Sequence, residues 1–208
     1  MKSTFLAGLA VLILSLAACT STPVHYHTLL APSAPMASSE PAVPFLIDVL
    51  PVGIPEQLDQ PQLIVRQGAS GIAVLDGERW AGPLGEELRH ALSSELSWRL
   101  ATRDIAGLPR PDGKPVLRIK LQVRRFDAWP GQKLLLDADW SLALAGAREN
   151  AGLLCHGQFE EPATGNYPEL IQAGQRAVAA LATRIATDAR GFGGQADCQK
   201  ASAVAHGN

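Results

Sequence analysis

Two stretches of strict alternation between apolar and polar residues constrain the fold of this chain more than any other feature. They span Val116–Phe126 and Leu134–Leu144, and the residues DAWPGQ between them are typical of a turn. Alternation with a period of two places one set of side chains on a buried face and the other on a solvated face, as in half-buried antiparallel strands. Because the pattern breaks at Arg124-Arg125, a bulge or a strand end is expected there. The sequence therefore predicts a hairpin that is covered on one face.

Other segments supply further strands and the cover for this hairpin. Short runs with β character predict four strands, at Phe45–Val52, Leu63–Arg66, Gly71–Leu75 and Leu153–Phe159. Apolar residues at helical spacing predict one helix from about Pro83 to Ala101 and a second that begins near Pro168 and ends at Gly191. The predicted fold class is α/β, with a mixed, largely antiparallel sheet covered by two amphipathic helices in the order β-β-β-α-β-β-β-α.

The N-terminus carries a secretory signal. After Lys2, the segment Phe5–Ala18 has no charge, and it is shorter than the about 20 residues that a membrane-spanning helix needs. The last residues of this segment and the cysteine after it, Leu16-Ala17-Ala18-Cys19, match the processing site of bacterial lipoproteins. The alternative is an ordinary signal peptide with Cys19 present by chance. The sequence favours acylation of Cys19. Since Thr20 stands where an Asp would favour retention in the inner membrane, it also favours an outer-membrane location facing the periplasm.

Four regions follow from these features. We expect a signal peptide at 1–18, a lipidated proline-rich tether at 19–44, a single α/β domain at 45–191 and a C-terminal tail at 192–208. A tether of 25 residues in polyproline II conformation would reach on the order of 75 Å from the membrane. His25-Tyr26-His27 lies within it and is interpreted as solvated linker, because two histidines on a flexible strand make a weak metal site.

Charge and cysteine content narrow the possible partners. The chain has 18 basic and 20 acidic residues and no basic run, so nucleic acid is not an expected partner. Cys155 and Cys198 are the other two cysteines, and an oxidising periplasm permits a disulfide between them. The alternative is two unrelated thiols, one buried and one in a frayed tail. We expect the disulfide, which would tie down the tail.

Signals for catalysis are weak throughout the sequence. GASG at Gly68–Gly71 lacks the spacing of a nucleophile elbow, and GFGG at Gly191 follows a helix instead of opening one. Asp137 and Asp139 could form a carboxylate pair, but the alternation explains them as part of a solvated strand face. His90 and His156 have no evident partner in the sequence. We therefore predict no catalytic residue, no metal ligand and no cofactor, and a protein that is not an enzyme.

Several segments together resemble one family of envelope proteins. They are Tyr26-His27-Thr28-Leu29, VLPVGIPEQLDQPQLIVR, RWAGPLGEELRHAL, FDAWPGQKLLLDADWSL and YPELIQAGQRAVAALATRIA, in that order. Their order and spacing resemble the PqiC-like auxiliary lipoproteins of ABC-type or MCE-type transport systems, over nearly the whole chain. The longer proline-rich tether and the cysteine pair depart from the better-known members.

The resemblance implies a function that the residues alone do not reveal. It implies an outer-membrane lipoprotein that docks an inner-membrane-anchored, PqiB-like MCE tunnel protein in intermembrane lipid transport. Docking as a homo-oligomer is among the arrangements that it implies. Trp80, Pro83 and Leu84 then become candidate partner-binding residues, because aromatic anchors dominate interface energetics. The structural alternative is that Trp80 only fixes the start of the first helix. The alternative function is a structural lipoprotein that assists assembly of another envelope complex, such as a β-barrel or an export protein.

Overall fold

The fold is α/β, as predicted, and contains two mixed sheets and two helices. The computed structural model describes residues 23–32, 41–147, 152–193 and 198. Its elements are β1 (His25–His27), β2 (Leu46–Val49), β3 (Gln62–Gln67), β4 (Gly71–Trp80), α1 (Leu84–Leu100), β5 (Val116–Trp129), β6 (Lys133–Leu144), β7 (Leu153–Pro162) and α2 (Tyr167–Arg190). The order is therefore β-β-β-β-α-β-β-β-α, with one strand more than the sequence predicted.

The predicted hairpin forms the centre of the larger sheet, whose strand order is β2-β5-β6-β7. β2 runs parallel to β5, and the other neighbouring pairs are antiparallel. The register shifts between Val123 and Arg125 while β5 continues to Trp129, so the break in alternation marks a bulge and not the strand end. Ile119, Leu121 and Trp140 point to the covered face and are at most 1% exposed.

Both helices cover this face. α1 buries Leu88, Leu92 and Leu96 along one stripe, and α2 buries a longer stripe that is rich in alanine. Small side chains on α2 allow the helix backbone to approach the sheet closely. Trp140 of β6 also donates an indole hydrogen bond of 3.0 Å to the buried carboxylate of Asp188 on α2. This bond gives the buried indole N–H a partner, and Asp188 also pairs with Arg184 of α2 at 3.1 Å.

The smaller sheet has the order β1-β4-β3 and is separate from the larger one. β3 pairs antiparallel with β4, and β4 extends to Trp80 and pairs with β1 in parallel. Trp80 packs edge-on against Phe126 of β5, with the ring centroids 6.1 Å apart. An aromatic pair with this geometry favours contact between the two sheets. The sequence predicted the strands but not their division between two sheets, because an alternating pattern does not specify a strand's neighbour.

His25–His27 is a strand, so its interpretation as solvated linker is wrong. Its local composition is polar and flanked by prolines, which favours a linker. The open edge of β4 provides backbone partners for it, however, and Leu29 just after it is only 1% exposed. These contacts are long-range, and a local pattern does not contain them. The part of the tether at 33–40 lies outside the described residues, as do the signal peptide and Cys19.

A disulfide joins Cys155 of β7 to Cys198, with the Cα atoms 5.1 Å apart. It fixes this point of the C-terminal tail beside α2, since Cys155 is buried on the covered face. The loop that it closes spans 43 residues.

We predict that replacing both cysteines in a Cys155→Ala, Cys198→Ala variant lowers the free energy of unfolding by about 4 kcal/mol, because a loop of this length loses its constraint in the unfolded chain. Urea unfolding of the oxidised protein and of the variant measures the difference. Wild-type protein in reductant is the matched control and should unfold like the variant. An unchanged midpoint would contradict a stabilising role for the bridge.

Candidate anchoring and docking sites

The segment 23–32, which follows Cys19 closely in the sequence, is fixed to the folded body by a buried carboxylate. Glu87 lies in the first turn of α1 and is only 9% exposed. Its Oε2 accepts a hydrogen bond of 2.6 Å from the hydroxyl of Thr28 and one of 3.0 Å from the backbone N–H of Leu29. The positive end of the α1 dipole further favours a carboxylate at this position. Glu87 therefore connects the N-terminal segment to the helix that covers the sheet.

Leu29 is the apolar part of the same attachment. Its side chain inserts against α2 at Gly174, where a Cβ atom would lie 2.9 Å from Leu29 Cδ2. No side chain larger than hydrogen fits at Gly174 without displacing Leu29. Gln175 of α2 donates a hydrogen bond of 3.1 Å to the backbone oxygen of Thr28. We call Thr28, Leu29, Glu87, Gly174 and Gln175 the N-terminal clamp.

A second group of contacts holds β1 to β4. Glu78 of β4 accepts hydrogen bonds from His25 Nδ1 at 3.1 Å and from His27 Nε2 at 2.5 Å. Burial raises the pKa of Glu78, but the hydrogen bonds and charges of His27 and His25 together outweigh it and hold the pKa below its ordinary value of 4.5. The charged form of Glu78 is therefore the form that stabilises the pairing of β1 with β4.

The clamp lies at one end of the body, and an open groove lies at the other. α1 has 17 residues, so its two ends are about 25 Å apart. Glu87 is in the first turn, whereas the last residue, Leu100, accepts a backbone hydrogen bond of 3.1 Å from Val43 beside the groove. The groove has a volume of about 680 Å³. We call it the distal groove; its lining includes Phe45, Thr102, Arg103, Ile105, Leu108 and Lys114.

The distal groove combines apolar and cationic side chains. Leu108 is 60% exposed, which is high for a large apolar side chain. Arg103 and Lys114 provide positive charge, and Asp112 provides one negative charge. The hydroxyl of Thr102 donates a hydrogen bond of 2.6 Å to the backbone oxygen of Phe45 and thereby joins the two walls. Such a surface suits a partner with apolar and acidic groups.

The residues proposed from the sequence for partner binding lie mostly inside the protein. Trp80 and Leu84 are 7% and 2% exposed, so they pack in the core. Pro83 is exposed at the start of α1. Burial favours the structural interpretation for Trp80 and Leu84, and partner contact through Pro83 stays a prediction. Sequence reasoning did not identify Glu87 as a functional residue. Its place in the first turn of the predicted helix did indicate a favourable interaction with the positive end of the helix dipole.

The polar face of β6 is less solvated than predicted. Asp137 is only 7% exposed, and its cross-strand neighbours are Arg125 on β5 and Gln158 on β7. Gln158 donates a hydrogen bond of 2.8 Å to it. His156 does have a partner, since its Nδ1 lies 2.9 Å from Asp139 Oδ1.

Asp139 also faces Arg124 of β5. Burial raises the pKa of Asp139, but hydrogen bonds and charges from Arg124 and His156 hold it below the ordinary value of 3.8. The charged residues on this face of the sheet therefore form ion pairs between neighbouring strands, and such pairs stabilise a sheet.

Two structural observations bear on anchoring and on metals. Over the ranges that the structure describes, neither helix has the length and apolarity needed to cross a bilayer. Cys155, Cys198 and Asp188 bring potential ligand atoms within 4.8 Å of one another, but both sulfurs are used in the disulfide.

Comparison with known proteins gives one family and a shared fold. A family model described as an ABC-type transport auxiliary lipoprotein component matches residues 27–186. A crystal structure of an uncharacterized protein is similar with a TM-score of 0.63 and 18% identity, over 80% of this chain and 99% of that one. A Xanthomonas campestris protein of the DUF330 family is similar with a TM-score of 0.58 and 16% identity, over 78% and 91% of the two chains. No curated protein matches the chain in sequence.

We predict that a Glu87→Ala variant releases the N-terminal segment. Each hydrogen bond to a charged acceptor contributes about 1.5–3 kcal/mol, so the amide of Leu29 should lose roughly 10- to 100-fold of its protection from hydrogen exchange. Glu86→Ala is the matched control, because Glu86 is one residue away and its exposed side chain pairs with Arg89. Equal protection in the two variants would show that Glu87 does not hold the segment.

The lowered pKa of Glu78 predicts a loss of stability in acid. A carboxyl with a depressed folded-state pKa contributes stability above its ordinary pKa of 4.5, and this contribution disappears as the pH falls through the lower folded-state value. The unfolding temperature should therefore drop less between pH 6 and pH 3 in Glu78→Gln than in the wild type. Coincident pH profiles would contradict the stabilising role of the Glu78–His pairs.

Proposed function

The chain belongs to the ABC-type transport auxiliary lipoprotein component family, and on that premise we propose that it is a non-enzymatic, lipid-anchored subunit of an MCE-type lipid transport system. Acyl chains on Cys19 hold it on the periplasmic face of the outer membrane. The folded body then binds the far end of an MCE-domain tunnel protein that is anchored in the inner membrane. Its function consists of anchoring and docking, and it breaks no covalent bond.

The observation that best supports this proposal is the N-terminal clamp. Two acyl chains give stable membrane anchoring, but an anchor positions a body only if the chain between them is short or fixed. Here Thr28 and Leu29, which follow Cys19 by nine and ten positions, are bound to both helices through Glu87 and Gly174. A protein that acts as a docking subunit needs such a fixed relation between its anchor and its folded body.

The distal groove is the surface that we assign to the partner. It lies at the end of α1 opposite the clamp, so anchoring at the clamp end leaves the groove turned away from the membrane. An inner-membrane-anchored protein approaches from that direction. The exposed Leu108 provides an apolar contact, and the nearby Arg103 and Lys114 provide attraction for acidic groups.

We expect crosslinking in intact cells, followed by purification of the lipoprotein, to recover an MCE-domain protein. Leu108→Asp should reduce this recovery about tenfold or more, since a charge in an apolar contact costs on the order of 1.4 kcal/mol or more. Leu154→Asp is the control, because Leu154 on β7 is 74% exposed and lies outside the groove. Mass spectrometry of the crosslinked band identifies the partner.

Two results would contradict the proposal. Recovery of only β-barrel assembly or polysaccharide export proteins would favour the alternative of an assembly lipoprotein. Equal loss in both Asp variants would leave the MCE partner in place but remove the distal groove as the docking surface. Crosslinked bands at multiples of the lipoprotein's own mass would reveal a homo-oligomer in the same experiment.

A further inference from the structure

The distance between the acylation site and the folded body is much shorter than the sequence suggested. Pro23 is the first described residue, and its backbone oxygen already lies against Gly77 of β4. Cys19 precedes Pro23 by four residues, and four residues span at most about 14 Å even when fully extended. A tether that continued to residue 44 would have reached about 75 Å.

This short reach places the start of β1 next to lipid headgroups. The headgroup region of one leaflet is about 5–8 Å thick, because a bilayer of about 40–45 Å has a hydrocarbon core of about 30 Å. Acyl chains on Cys19 lie in the hydrocarbon. Pro23 therefore lies within about 10 Å of the headgroup surface, whatever conformation the connecting residues adopt.

The segment nearest to the anchor also exposes apolar side chains. Val24 is 40% exposed, Tyr26 is 67% exposed and Leu30 is 45% exposed. These three are among nine large apolar side chains that are exposed in the described part of the chain, and they fall within the ten residues from Pro23 to Pro32. Tyrosine suits the membrane interface, because its ring is apolar and its hydroxyl remains hydrated.

We propose that Val24, Tyr26 and Leu30 form a membrane-contact surface that seats the folded body directly on the phospholipid bilayer carrying its anchor. The inference rests on the acylation of Cys19 in the proposed function, and it adds an orientation. The occupant of the surface is the bilayer, because the length of chain from Cys19 permits no large separation.

Seating also explains why the segment is held so firmly. Leu29 directly precedes the exposed Leu30 in the sequence and is itself fully buried against Gly174. Glu87 binds the backbone at the same point, while Glu78 binds the histidines on either side of Tyr26. The membrane-contact surface is therefore rigidly joined to both helices, and the distal groove projects away from the bilayer.

The test uses the full acylated lipoprotein in vesicles of phosphatidylethanolamine and phosphatidylglycerol that contain a headgroup-nitroxide phospholipid. A Tyr26→Cys variant carries a bimane fluorophore at the membrane-contact surface. A Leu154→Cys variant carries the same fluorophore on β7, the edge strand of the larger sheet, whereas β1 belongs to the smaller sheet. Selective labelling is possible because Cys155 and Cys198 are joined in the disulfide and Cys19 is acylated.

Nitroxide quenching at position 26 should be several-fold stronger than at position 154. Flotation of the vesicles, with mass spectrometry of the floated protein, measures acylation separately. If the protein floats but both fluorophores are quenched equally, the folded body does not contact the bilayer. That result overturns the membrane-contact surface and leaves the lipid-anchored subunit of the proposed function intact. If the protein does not float and carries no fatty acid, the proposed function fails and the seating fails with it.

A neighbouring position protects the test against a folding defect. Val24→Cys replaces Tyr26→Cys if circular dichroism shows that the latter is unfolded, because Val24 is exposed in the same segment. Strong quenching there supports the seating, and quenching no greater than at position 154 overturns it.

Discussion

Burial of one face of the β5–β6 hairpin beneath two helices is the constraint on which the rest of the structure depends. Alternation leaves this face almost wholly apolar, and water would oppose its exposure by about 25 cal/mol for each Å². α1 and α2 remove it from solvent together. Their positions then determine where Glu87 and Gly174 lie, and hence where the N-terminal segment can bind.

The N-terminal clamp joins this core to the segment that follows Cys19 in the sequence. Glu87 is buried, yet its charge is stabilised by the start of a helix and by two donors from the segment that it binds. Gly174 leaves the space that Leu29 fills. Because the segment follows Cys19 after a few residues, an acyl anchor on that cysteine would fix both the position and the orientation of the body.

The two ends of the body therefore have different roles in the proposed function. In that proposal the clamp end turns Tyr26 and neighbouring apolar side chains toward lipid, whereas the distal groove, with the exposed Leu108 and cationic residues, lies at the opposite end of α1. A transport subunit that bridges a bilayer and a second protein needs these surfaces on opposite ends. The rigid helices between them keep the two surfaces in a constant relation.

The sequence alone determined the strands of the hairpin, the point where their alternation breaks, both helices and the fold class, because each depends on the local period of apolar residues. It also indicated the family, through motifs whose order is preserved along the chain. Only the tertiary structure decided that the strands divide into two sheets, that His25–His27 belongs to one of them and that Trp80 and Leu84 are core residues. These features depend on contacts between distant segments: the open edge of β4, the carboxylate of Glu87 and the space at Gly174. The sequence of a polar, proline-flanked segment does not show whether such partners exist elsewhere in the chain. The attachment of the N-terminal segment could therefore be identified only from the tertiary structure.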